Sequence, residues 1–79
     1  MELFFITALV LTTKFPAEGW LQWTQGYSSK KYCESIIRKD YLEIGQAVRS
    51  NFGEVFTSIK EMRCLTYQEA VLLNSQLGH

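Results

Sequence analysis

The sequence predicts an α+β fold: a small three-stranded sheet in the order 2-1-3, with ββαβα topology, one long helix packed on the sheet and a short C-terminal helix. Three observations predict it. The run Leu3 to Leu11 (LFFITALVL) is apolar on both of its alternating faces, as in a central strand covered on two sides. Cys33, Ile37, Tyr41, Ile44 and Val48 recur at steps of three and four, the period of a helix. Thr66-Tyr67-Gln68-Glu69 carries the capping-box pattern that opens a second helix. The chain has 79 residues, enough for one domain over 1–79. With 20% charged and 47% hydrophobic residues, its composition is globular rather than disordered.

The first strand runs from about Leu3 to Thr13, with Leu3, Phe5, Leu9 and Leu11 on one face and Phe4, Ile6, Ala8 and Val10 on the other. Pro16-Ala17-Glu18-Gly19 is a turn signal. A second strand follows from Trp20 to about Tyr27. Leu21, Trp23 and Tyr27 share one face; Trp20, Gln22 and Thr24 share the other, and this mixed polarity suits an edge strand. The short connection makes the pair an antiparallel hairpin.

Ser28 or Ser29 caps the long helix, which is expected to run to about Asn51, with Gly53 as its stop signal. Ile36 and Ala47 widen its apolar stripe, and Glu34 and Arg38 stand at a favourable i,i+4 spacing. Gly45 marks either a bend or a close crossing of the sheet. The third strand is read from about Glu54 to Cys64, with Phe56, Met62 and Cys64 on one face and Val55, Ile59 and Leu65 on the other. The last helix extends from the capping box to about Leu77, with Gly78 as its end signal.

Strand 1 is central, so strands 2 and 3 are parallel to each other and antiparallel to it, with a right-handed crossover between them. The long helix covers one sheet face. Over the other, either the C-terminal helix folds back through Ala70, Val71, Leu73 and Leu77, or two copies pack together. An open apolar face of several hundred Å2 is unusual on a monomer, so a homo-oligomer is expected, a dimer first.

Lys+Arg and Asp+Glu both number 8, so the chain lacks the basic excess of nucleic-acid and anionic-membrane binders. The nine-residue apolar run is too short to span a bilayer as a helix. Glu2 stands where a signal peptide carries a basic residue, and no small-x-small cleavage site follows, so the run is read as a structural strand and the location as cytoplasmic. Reduced thiols are then the default for Cys33 and Cys64. The topology nonetheless brings both to one edge of the domain, so a bridge is the alternative to two buried thiols.

Chemistry-bearing residues are sparse. The single histidine, His79, is terminal; there is no CxxC pair and no glycine-rich phosphate loop. Asp40, Glu43 and Glu54 are spaced as solvated surface. The expectation is a non-enzymatic protein without cofactor or metal. Phe15, Trp20 and Trp23 crowd one hairpin and are the candidates for binding an unknown protein partner. Lys30, Lys31, Arg38 and Lys39 form a basic patch that, with the strand 2 aromatics, could hold nucleic acid; zero net charge argues for a solvated helix face instead. Cys33 and Cys64 are the candidate thiol pair for redox chemistry, although the helical stripe turns Cys33 inward.

Three features, the aromatic strand and serine-capped helix of WLQWTQGYSSKKYCESI and the second cysteine before the capped helix of RCLTYQEAVLLNSQLGH, make the chain resemble short uncharacterised proteins of marine bacteria, their phages and marine metagenomes. That resemblance implies unknown function and no site residues. Three readings follow from the residues: a non-enzymatic interaction or structural protein that self-associates through an apolar sheet face, a small nucleic-acid-binding module, and a thiol-based redox protein.

Overall fold

A computed structural model describes residues 2–14 and 17–77. The elements are β1 (Phe4–Thr12), β2 (Glu18–Tyr27), α1 (Lys30–Lys39), α2 (Tyr41–Phe52), a short 3-10 turn (Gly53–Val55), β3 (Phe56–Leu65) and α3 (Tyr67–Gln76). The sheet has the expected order β2-β1-β3, with β1 antiparallel to both neighbours. The expected single long helix is divided at Asp40, which ends α1 by donating its N–H to the Ile36 carbonyl at 2.8 Å and begins α2 by accepting from the Ile44 N–H at 2.9 Å. Aspartate favours helix ends over helix interiors. The break turns Tyr41, expected inward, out to 48% exposure. Gly45 is not the bend, and the crossing there is not tight: a Cβ would stand 4.0 Å from Ile59 Cδ1 of β3, an ordinary contact.

The alternating faces of β1 sort the whole domain. Ile6, Ala8 and Val10 are buried beneath α1 and α2, where they meet Cys33, Ile44, Val48 and Cys64. Leu21, Trp23, Phe56, Ile59 and Met62 pack around this core from the flanking strands. Burying such side chains contributes roughly 1.5–3 kcal/mol each. Ser29 opens α1 as read, its hydroxyl accepting from the Tyr32 N–H at 3.2 Å.

Both edge strands are irregular. In β2, Gln22 stands opposite Thr7 and Gly26 opposite Phe5, so Trp23, Thr24 and Gln25 face the single residue Ile6. In β3, Glu61 pairs with Leu9 but Ile59 pairs with Val10, so Lys60 is extra. That insertion moves Ile59 onto the α1/α2 face, where simple alternation had placed it on the opposite one. Val55 belongs to the 3-10 turn and not to the strand.

The second sheet face is closed by the chain itself. α3 packs across β1 and β2, and Thr7 (0% exposed) and Leu9 (5%) are buried there. Of the two ways to cover that face, the folded-back helix is the one adopted. Its capping box forms as read: the Thr66 hydroxyl accepts from the Glu69 N–H at 3.2 Å, and the Glu69 carboxylate accepts from the Thr66 N–H at 2.9 Å. The hydrogen bond from the Thr66 backbone N–H lowers the Glu69 pKa against a smaller opposing desolvation, with help from the Thr66 hydroxyl contact and the Lys30 charge.

Candidate functional site

The hairpin aromatics do not form one surface. Trp23 is half-buried and packs against both halves of the core under α1 and α2. Trp20, opposite Leu9 in register, lies on the α3 side of the sheet and is half-buried. The Arg63 guanidinium sits over its ring, 5.6 Å from the centroid, and the same guanidinium pairs with Glu61 at 3.1 Å. A cation over an indole face is favourable by about 0.5–1 kcal/mol at exposed sites. Phe15 lies outside the described residues.

Two amides lock α3 to this face. Gln22 Nε2 donates to Thr7 Oγ1 at 3.0 Å and lies within 3.3 Å and 3.4 Å of the Leu65 and Thr66 carbonyls. Asn74 accepts from the Trp20 N–H and donates to the Trp20 carbonyl. Neither amide was singled out in the sequence for this role. A lone amide in a strand or helix carries no periodic signal.

The basic residues do not converge either. Lys30 and Arg38 line a groove beside the end of β3, but Glu34 and Glu69 line it too, so the groove carries both signs. Glu34 and Arg38 share it without an ion pair. Lys31 and Lys39 are exposed elsewhere on α1. Of the aromatics that would stack bases, Trp20 lies on the sheet face opposite this helix, while Trp23 and Tyr27 are half-buried against the core on the helix side.

The two cysteines are joined as a disulfide, with Cα atoms 6.1 Å apart. The reduced state taken as default from the sequence is corrected by this placement: strand β3 ends beside the first turns of α1, within bridging reach. Both residues are buried, Cys33 at 0% and Cys64 at 1% exposure. Among the described residues no cluster of His, Cys, Asp or Glu forms a metal-binding group, and no helix is long and apolar enough to cross a membrane.

What does converge is apolar surface on and beside α3. Of its residues only Ala70 is fully buried. Tyr67, Val71 and Leu72 are 67%, 50% and 59% exposed. At its N-terminal end Tyr67 and Gln68 border a shallow cleft of about 320 Å3 with Leu3 and Phe5 of the first strand region. The only charged residue of α3 is Glu69, whose carboxylate is occupied by the cap. The outward side is therefore apolar and amide-rich, with the exposed Glu69 carboxylate as its one charge, tied to the Thr66 backbone.

No family model, curated protein or solved structure matches this chain.

Proposed function

We propose that this chain is a non-enzymatic interaction protein that self-associates through the outer side of α3. The observation that carries this reading is the uncharged stripe of Tyr67, Val71 and Leu72 on a surface helix. Interface centres are depleted in charge and enriched in aromatic residues. A second copy is the occupant this stripe suits. Its three side chains offer no charge for a charged partner to complement, and two such stripes can meet about a twofold axis with their apolar groups in contact. The surface differs from the one the sequence suggested: self-association runs over the helix that covers the sheet, not through a bare sheet face.

The nucleic-acid reading has no comparable support: Lys30 and Arg38 share their groove with Glu34 and Glu69, Trp23 packs into the core under α1, and Trp20 lies on the other sheet face. The redox reading needs an accessible sulfur, and both are enclosed. The bridge itself favours an oxidising compartment over the cytoplasmic one expected from the N-terminal residues, since cytosolic thiols are held reduced.

Light scattering across a concentration series up to about 100 μM, in the micromolar range of modest interfaces, tests the proposal. The expected result is a concentration-dependent dimer that Val71→Lys or Leu72→Lys converts to monomer with unchanged circular dichroism. A monomer throughout the series would sink it.

A further inference from the structure

The two edges of the sheet differ. β2 is closed at Trp20 by Asn74, whereas β3 has no strand on its outer side among the described residues. The ladder shows which groups that outer edge offers. Trp20 turns its N–H and carbonyl away from β1, to Asn74, so its register partner Leu9 directs its own backbone groups to β3. One residue earlier, Ala8 directs its groups to β2, and its β3 partner Met62 therefore presents its N–H and carbonyl outward. Cys64 points the same way but is covered, at 1% exposure, so the open stretch ends at Met62.

Two clefts follow β3. One, of about 440 Å3, lies between α2 and residues 56–59; the other, of about 460 Å3, lies between α1 and residues 62–65. Phe56 and Ile59 line the first, Ile37 and Met62 the second, and all four pack on the core, so each cleft has an apolar floor. Between the clefts stands the exposed extra residue Lys60.

This side is basic in a chain of zero net charge. Lys30, Arg38 and Arg63 line the α1 cleft and Arg49 the α2 cleft; with Lys60 they make five of the 8 basic residues. The carboxylates lining the clefts or carried by β3 are three, Glu34, Glu61 and Glu69. Two of these are engaged, Glu61 with Arg63 and Glu69 with the Thr66 backbone. Lys30, Arg38, Arg49 and Lys60 make no ion pair among the described residues. A lysine and a bulge on an edge strand discourage pairing with a like copy. They leave the edge open to a strand of opposite charge, since complementary charge selects partners.

We infer that the outer edge of β3 receives an acidic, extended peptide segment of another protein. The segment pairs with the Met62 backbone, sets apolar side chains into the two clefts and brings carboxylates to Arg38, Arg49 and Lys60. In such strand addition, main-chain bonds give affinity and the clefts select side chains. Glu34 inside the α1 cleft opposes the unbroken charge of a polyphosphate chain, so a peptide suits the surface better than nucleic acid. The clefts share no residue with the Tyr67, Val71 and Leu72 stripe, and the site is independent of self-association.

A fluorescein-labelled peptide of alternating glutamate and leucine, titrated with the full chain and followed by anisotropy, tests the inference. A lysine–leucine peptide of the same length and a single-stranded oligonucleotide are the comparisons. The expected result is saturable binding of the acidic peptide at concentrations below about 1 mM, weakened by salt. Arg49→Glu and Lys60→Glu together, both at exposed positions, should weaken it at least about tenfold with unchanged circular dichroism. Hydrogen exchange at the Met62 amide should slow in the complex, a change that charge attraction alone does not produce. Val71→Lys should bind the peptide as the wild type does; loss there would move the site to α3 and overturn the assignment. No saturable binding, equal affinity for the lysine–leucine peptide, or tighter binding of the oligonucleotide overturns the acidic-peptide partner. Binding without protection of Met62 overturns strand addition.

Discussion

The Asn74 side-chain amide binds the backbone of Trp20 as a neighbouring strand would, accepting from its N–H at 2.8 Å and donating to its carbonyl at 3.2 Å. Trp20 lies on β2, an edge of the sheet, where outward backbone groups invite pairing with another chain. A side-chain amide has the donor and acceptor of a peptide unit, so Asn74 closes this stretch of edge while fastening α3 to it.

Asn74→Ala should therefore cost about 1–2 kcal/mol in urea unfolding, since both Trp20 groups lose a protein partner but gain access to water. Hydrogen exchange at the Trp20 amide should accelerate beyond the global change. Asn74→Asp keeps the acceptor but turns a second oxygen toward the Trp20 carbonyl, so it should be no better than alanine at neutral pH. Equal stability of wild type and Asn74→Ala would mean the clamp is decorative.

The Gln22 amide ties β2 to the β1 hydroxyl of Thr7 and to the β3–α3 junction. Gln22→Leu should destabilise by about 1–3 kcal/mol, leaving the buried Thr7 and Thr66 groups short of a partner. Thr7→Val removes one end of the same network. The double variant should cost less than the sum of the singles, and strict additivity in thermal unfolding would show that the two side chains do not act together.

Removing the bridge with Cys33→Ala and Cys64→Ala together should lower stability by about 3–4 kcal/mol, from the loop closed by a separation of 31 residues. Because both sulfurs are enclosed, dithiothreitol should reduce the native protein slowly and the urea-unfolded protein quickly. Thiol labelling over time reads this difference; equally fast reduction would contradict the enclosure.

Glu69 makes the C-terminal helix sensitive to acid. Its folded pKa lies below the ordinary value of 4.5 because the charged carboxylate accepts the Thr66 backbone N–H. The resulting stabilisation is complete above the unfolded pKa and is lost as pH falls through the lower, folded one. Glu69→Gln, which can still accept that bond, should flatten this part of the stability profile between roughly pH 5 and pH 3. Thr66→Ala should cost about 1 kcal/mol near neutral pH. A Glu69→Gln profile identical to wild type would exclude the cap as a source of acid sensitivity.

Much of the fold was legible because its signals are local or periodic. The two faces of β1, the inward set of β2 and the Thr66 capping box depend on residues close in sequence. Ile59 was misplaced because the extra residue Lys60 reverses alternation, and no residue type announces such an insertion. Helix continuity past Asp40 was misread because the apolar stripe carries through it, so periodicity outvoted a weak end signal. The Asn74–Trp20 and Gln22–Thr7 contacts are specified only once α3 lies across the sheet.

The central position of β1 has a consequence for how the chain is made. Phe5 pairs with Gly26 on one side and with Leu65 on the other, so the first strand synthesised waits for the last one before its ladder is complete. Until β3 emerges, a strongly apolar strand has one open edge, the condition under which nascent chains stick to one another. Completing the sheet then needs a contact between distant parts of the chain, which slows folding relative to helical domains of similar size. A ribosome pause or truncation before β3 is therefore the most hazardous point in this protein's synthesis.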